Sequence, residues 1–172
     1  MMLVIVALSS GAMSGGMDVR VRRATAEDAP ALARLRWRWR VDELAQEALI
    51  ERQAFLDFFT TWTIDHLAQY AVFVVEVEGQ LAGMAWLHLA DRVPSPNHLD
   101  RRSGDIQSVY ILPEQRGRRA GAQLIETLLQ HARNLELRYL TVHSAEAATG
   151  FYEKLGFVHE AQWLAYPDAK LR

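Results

Sequence analysis

The 172-residue chain has no cysteine. That excludes disulfides, thiolate metal sites and a cysteine nucleophile. It has little net charge: 19 Lys and Arg against 21 Asp and Glu leave −2. No basic field supports nucleic-acid binding. Long hydrophobic runs are scarce as well. Residues 2–8 are apolar, far short of the roughly 20 that a membrane-spanning helix needs. This start also lacks the basic flank of a signal peptide, although a small-residue run follows it. Residues 1–16 are therefore expected to be an appendage outside the fold, with residues 17–172 forming one domain. No membrane partner and a cytoplasmic location are expected. There is no internal repeat and no coiled-coil heptad. Half the residues are hydrophobic and 23% are charged, the composition of a globular chain with a sizeable core.

The central stretch is residues 106–124, IQSVYILPEQRGRRAGAQL. Residues 106–112 are rich in β-branched and aromatic side chains and read as a strand. Pro113 cannot donate to a ladder and ends it. Residues 114–118 are polar and carry Gly117. From Arg119 the pattern Leu124, Ile125, Leu128, Leu129, Ala132 marks one face of a helix. The unit is strand, glycine- and arginine-bearing turn, helix. A helix start has unpaired amides and partial positive charge. With Gly117, Gly121, Arg116, Arg118 and Arg119 it is a candidate pyrophosphate cradle. An ordinary turn with a solvated basic loop is the alternative.

Elsewhere, Val19, Val21 and Arg23 predict a short first strand. Thr25 and Asp28 form a capping-box pattern before a helix with Leu32, Leu35 and Trp39 on one side. Arg34, Arg36, Arg38 and Arg40 spread around that helix. They are either a solvated surface or, with Trp37 and Trp39, the edge of a substrate pocket. Residues 47–69 predict a second helix with an aromatic stripe of Phe55, Phe58, Phe59 and Trp62. Residues 71–77 and 81–90 predict a hairpin around Glu78 and Gly79, with Met84, Trp86 and His88 on one face. His88 is either a proton carrier or a hydrogen-bonded structural histidine. Residues 91–104 read as a long loop that could cover a site. Asp91, His98 and Asp100 in it have no metal-ligand spacing, so no metal is expected. Residues 136–143 predict a strand and residues 144–155 a helix stopped by Gly156. Residues 157–161, and then 163–166, are expected to close the sheet.

Residues 113–121, P-E-Q-R-G-R-R-A-G, resemble the acyl-CoA-binding loop of the GNAT superfamily of N-acyltransferases. Arg116 matches its first position and Gly121 its last. Arg119 stands where the first motif glycine usually stands, and is expected to keep a helical φ. Residues 148–157, A-T-G-F-Y-E-K-L-G-F, resemble the family's late A-x-x-F-Y-x-x-x-G-F segment. The resemblance implies a mixed α/β fold. Its mostly antiparallel twisted sheet has six to seven strands, flanked by about four helices. It also implies acetyl transfer from acetyl-CoA, as co-substrate, to a primary amine on a small molecule or peptide. A homodimer is compatible with it.

The roles follow from the resemblance. The backbone of Val109, Tyr110 and Ile111 would pair with the pantetheine arm, and one amide would hold the thioester carbonyl. The loop from Arg116 through Gly117, Arg118, Arg119 and Ala120 to Gly121 would hold the pyrophosphate, and Phe151 would contact the donor. Tyr152 is the candidate general acid for the leaving thiolate. Asp105 is the candidate general base, with Glu43, Glu76, His143 or a water chain as alternatives. Ser144 would replace part of the hydrogen bonding of a family asparagine, where this chain has Ala145. Trp37 and Trp39 would border the acceptor. The alternatives are a fold of this family that senses acyl-CoA without turnover, and an unrelated nucleotide-binding protein.

Overall fold

The structure, a computed structural model, describes residues 19–161. Strand β1 (Val19–Arg23) leads through a single 3₁₀ turn into helix α1 (Ala29–Trp37). The Asp28 carboxylate accepts from the Thr25 amide at 2.8 Å, as the capping pattern predicts. Arg22 holds the same carboxylate at 2.7 Å and Glu76 at 2.8 Å. Arg38–Glu43 continues α1 as one π-helical segment. Helix α2 (Arg52–His66) follows, capped by the Glu51 side chain on the Ala54 amide at 3.0 Å.

β2 (Tyr70–Val77) and β3 (Gln80–Arg92) form a hairpin. Glu78 and Gly79 at its tip both have positive φ, 51° and 77°, the pair that a two-residue I′ turn requires. β4 (Arg101–Ile111), α3 (Ala120–Asn134), β5 (Tyr139–Val142) and α4 (Glu146–Lys154) complete the described chain. The sheet runs β1-β2-β3-β4-β5 in order. Its first three pairings are antiparallel and β4–β5 is parallel. Alternation sorts the side chains to two faces. One packs Phe73, Leu87 and Ile106 against Leu124, Ile125 and Leu128 of α3; the other packs Val72, Met84 and Trp86 against Leu32 and Leu35 of α1.

The mixed α/β architecture is present, with five strands and four α-helices among the described residues instead of six to seven strands. Residues 157–161 do not form a strand. The Phe157 amide is used on the Tyr152 carbonyl at 3.1 Å and the Gly156 amide on Glu153 at 3.0 Å. With Gly156 at φ 93°, this is the Schellman closure of α4. His159 reaches back to Glu153 at 3.2 Å, so the chain stays tied to the helix end. Residues 163–166 and 1–16 lie outside the described residues.

Two further boundaries differ, and one side chain. The expected 91–104 loop shrinks to residues 93–100, because the polar flanks pair across the hairpin as Ala90↔Ser103, Asp91↔Arg102 and Arg92↔Arg101. The last strand starts at Tyr139 and not at 136. Glu136 sits at φ 52°, and the Leu137 amide closes α3 on the Ala132 carbonyl at 3.1 Å. In α2, Phe55, Phe59 and Trp62 form the aromatic stripe with ring centroids 5.5–5.9 Å apart, but Phe58 is 68% exposed.

Candidate active site

The site begins with an interruption in β4. Met84 pairs with Tyr110 and Trp86 with Gln107, so Ser108 and Val109 together oppose Ala85 alone. This is a β-bulge. Ser108 takes φ 53° to make it, and its hydroxyl accepts from Arg36 Nη1 at 2.9 Å. A second interruption lies on the other edge. β5 pairs only with Ser103–Ile106 of β4. Beyond Ile106 and Val142 the two strands part, so among the described residues no strand pairs with 107–111 on that side. A cleft of about 380 Å³ fills the gap.

Asp105, Ser108 and Val109 line the cleft from β4; Ser144 and Tyr152 line it from the β5–α4 side. Trp39, Arg36 and Arg40 line it from α1 and its π-helical extension. Asp105 is held by Gln107 Nε2 at 2.7 Å and by the Thr141 hydroxyl at 3.1 Å. It lies opposite His88 in the ladder. Tyr152 is 7% exposed. Burial raises its pKa above the ordinary 10, which keeps the phenol protonated. Among the described residues its hydroxyl has no hydrogen-bond partner. Of the other candidate bases, His143 lines the cleft. Glu76 is tied to Arg22, and Glu43 is occupied as described below.

The glycine- and arginine-bearing turn lies at the C-terminal end of β4, where α3 starts. The first bond of α3 runs from the Gln123 amide to the Arg119 carbonyl at 2.9 Å. The amides of Ala120, Gly121 and Ala122 therefore lie ahead of the helical ladder. Gly117 has φ 77°, a conformation that glycine adopts freely. Arg119 is left-handed, with φ 61°, so the expected helical φ is corrected. It copies the conformation a glycine would take there, at a cost of about 1–2 kcal/mol for a side-chain-bearing residue. Phe151 packs over this turn. A Cβ on Gly121 would lie 3.7 Å from its ring and 3.8 Å from Ile111, so alanine would also fit.

Two expected residues face other partners. Arg116 Nε donates to the Ile111 carbonyl at 3.0 Å and Nη2 to Glu43 at 2.9 Å. Arg118 Nη1 reaches Gln115 at 3.4 Å. The two tryptophans separate: Trp39 stacks on Tyr110 at 5.5 Å in the cleft, while Trp37 packs on Phe55 beside a second cavity. Among the described residues no three histidine, aspartate or glutamate side chains converge as a metal-binding group.

One arrangement was not legible in the sequence. Glu43 accepts from the Tyr110 hydroxyl and from Arg116, with Arg38 at 3.9 Å. Burial, then the bond to Glu43, raises the Tyr110 pKa well above its ordinary value. This clamp ties the π-helical segment to β4 and to the turn before α3. It depends on contacts across 67 and 73 residues of chain, which no local pattern reports.

Comparison with known proteins identifies the family of the chain. Residues 30–157 match the model of the acetyltransferase (GNAT) family. The chain is 29% identical over 140 residues to an aminoalkylphosphonate N-acetyltransferase of Salmonella typhimurium, covering 80% of this chain and 83% of that one. It is 29% identical over 143 residues to an amino-acid acetyltransferase of Mycobacterium tuberculosis, covering 80% and 67%. A crystal structure from Clostridium acetobutylicum, named as a predicted acetyltransferase with acetyl-CoA, has the same fold. Its TM-score is 0.72 at 21% identity, over 89% of this chain and 98% of the other. The chain belongs to the GNAT acetyltransferase family.

Proposed function

We propose that the chain transfers the acetyl group of acetyl-CoA to a primary amine by direct attack. The single observation that carries this is the parting of β4 and β5. It leaves unpaired β4 backbone between a carboxylate, Asp105, and a buried phenol, Tyr152, in one cleft. The thioester arm adds to residues 109–111 where a strand is missing. The free amides at the start of α3, with the turn from Arg116 to Gly121, take the pyrophosphate.

The amine must be neutral to attack, yet an alkylammonium has a pKa of about 10.4. Asp105, directly or through water, accepts its proton. The nitrogen lone pair then forms the C–N bond at the thioester carbonyl. A backbone amide of the bulged segment stabilises the developing oxyanion. As the C–S bond breaks, the Tyr152 hydroxyl gives its proton to the departing thiolate, and the second proton that the nitrogen sheds in becoming an amide returns through water to the phenolate. Burial keeps that proton in place, which suits an acid. Ser144, which lines the same cleft, holds the arm.

The test is release of free thiol from acetyl-CoA with an amine panel. Tyr152→Phe should lower kcat by about 100-fold, the scale of general acid catalysis, with acetyl-CoA binding retained. Asp105→Asn should lower kcat/KM by at least about 10-fold. Full rates in both variants would contradict the assigned roles. Binding without turnover on any amine would make the chain an acyl-CoA sensor.

A further inference from the structure

We infer that the acceptor is an amine carrying an anionic group, a carboxylate or phosphonate, and that Arg36 and Arg40 hold that group beside Trp39. This rests on the acetyl-transfer reading above. The arginines of α1 and its extension have unequal partners. Arg38 is paired with Glu114 at 3.0 Å and lies 3.9 Å from Glu43. Arg34 is exposed. Arg36 and Arg40 line the cleft, and neither has a carboxylate partner among the described residues. The polar partners of both are neutral: the Ser108 hydroxyl at 2.9 Å for Arg36 and Gln46 at 2.7 Å for Arg40.

The two guanidinium groups share one aromatic ring. Arg36 lies 5.1 Å and Arg40 5.6 Å from the Trp39 centroid. That ring is itself pinned by stacking on Tyr110. Burial, and then the charge of Arg40, push the pKa of Arg36 below its ordinary value. Two like charges, one of them half-buried, are thus held at one wall of a cleft with only neutral hydrogen-bond partners. Arginine's planar fork suits bidentate binding of a carboxylate or phosphonate. An anion there would relieve both the desolvation and the repulsion.

The same cleft carries the opposite sign on β4, at Asp105. A ligand with an ammonium at one end and an anion at the other matches this separation, amine towards the base and anion towards the arginines. A polyamine would meet two guanidinium groups. An amine without an anionic group would leave them as they are.

The experiment uses amines matched in length: 2-aminoethylphosphonate, β-alanine and ethanolamine, which has no anionic group, with spermidine as the polycation. Each is titrated into the CoA-saturated chain and followed by thermal denaturation, and each is then assayed for thiol release from acetyl-CoA. A saturable rise with the phosphonate or the carboxylate, absent with ethanolamine, is the expected result. Which of the two binds identifies the anion. Arg36→Gln and Arg40→Gln should each weaken that binding by about 10- to 100-fold, the scale of a lost charge-assisted bond. Their own melting rise with CoA is the check on folding. Equal rises with ethanolamine or spermidine, no rise with either anionic amine, or unchanged binding in both variants would overturn the inference. Turnover is read separately. Acetylation of ethanolamine or spermidine alone would leave acetyl transfer standing and remove the anion site. Binding of the anionic amines without thiol release would keep the site and remove the transfer.

Discussion

The two walls of the cleft are built differently. On the proposed reading, the donor wall is β4 beyond Ile106, the turn from Arg116 to Gly121 and the start of α3. It offers mainly backbone: a bulge, an edge with no neighbour strand among the described residues, and the amides of a helix start. On the same reading, the acceptor wall is α1 with its π-helical extension. It offers side chains: Arg36, Arg40 and Trp39, with Glu43 clamping Tyr110 and Arg116. The thioester arm and pyrophosphate are the same in every turnover, and a backbone frame suits an invariant ligand. The acceptor defines specificity, and side chains can change without disturbing the frame. The Glu43 clamp is where the two walls meet.

Substitutions at four positions test that division, the largest effect first. Val109→Pro removes a backbone amide from the donor wall, whereas Val109→Ala keeps it. The proline variant should lose about 10²–10³-fold in kcat/KM, the scale of a lost oxyanion donor. The alanine variant should lose less than about 10-fold. Equal losses would mean that the side chain matters there, and the contrast between the walls would fail.

Glu43→Ala acts on the clamp. It leaves the Tyr110 hydroxyl and an Arg116 N–H without their acceptor, and should cost about 1–3 kcal/mol in urea unfolding. Unchanged stability would mean that the wall holds together without it. The clamp also has a pH signature. The folded pKa of Tyr110 is raised above its unfolded value near 10. Its contribution is therefore full below about pH 10 and is lost as pH rises through the folded pKa. Tyr110→Phe should reduce that alkaline loss.

Arg119→Gly gives the smallest effect. It places a residue that tolerates φ 61° at the helix start. The relief of left-handed strain, less the entropy of glycine, should stabilise by about 0.5 kcal/mol. A melting rise of about 1–2 °C would register it. Destabilisation would mean that the guanidinium contributes more than the strain removes.

The contrast also explains what could be read from the sequence. Local signals gave the donor side: a β-branched run stopped by Pro113, a glycine in the turn, and an apolar helix face from Leu124 to Ala132. Gly156 announced the end of α4, and its φ of 93° confirms the reason. Long-range contacts decided the rest. The bulge at Ser108 depends on the β3–β4 register. The place of Arg36 depends on a bond 72 residues away. The charged ends of β3 and β4 looked like a loop because their pairing partners, and not their composition, make them strands. Phe58 fitted the helical period of its neighbours but faces solvent. The expected strand after Gly156 failed because its first amide closes α4.

The central claim is that the parted strands and the α3 turn take an acyl-CoA donor. Thermal denaturation with acetyl-CoA, with ATP as control, tests it most directly. At a hundredfold Kd the donor should stabilise the chain by about 2.7 kcal/mol, a rise on the order of 5–10 °C for this size, with none from ATP. No rise at millimolar acetyl-CoA, or an equal rise with ATP, would contradict it.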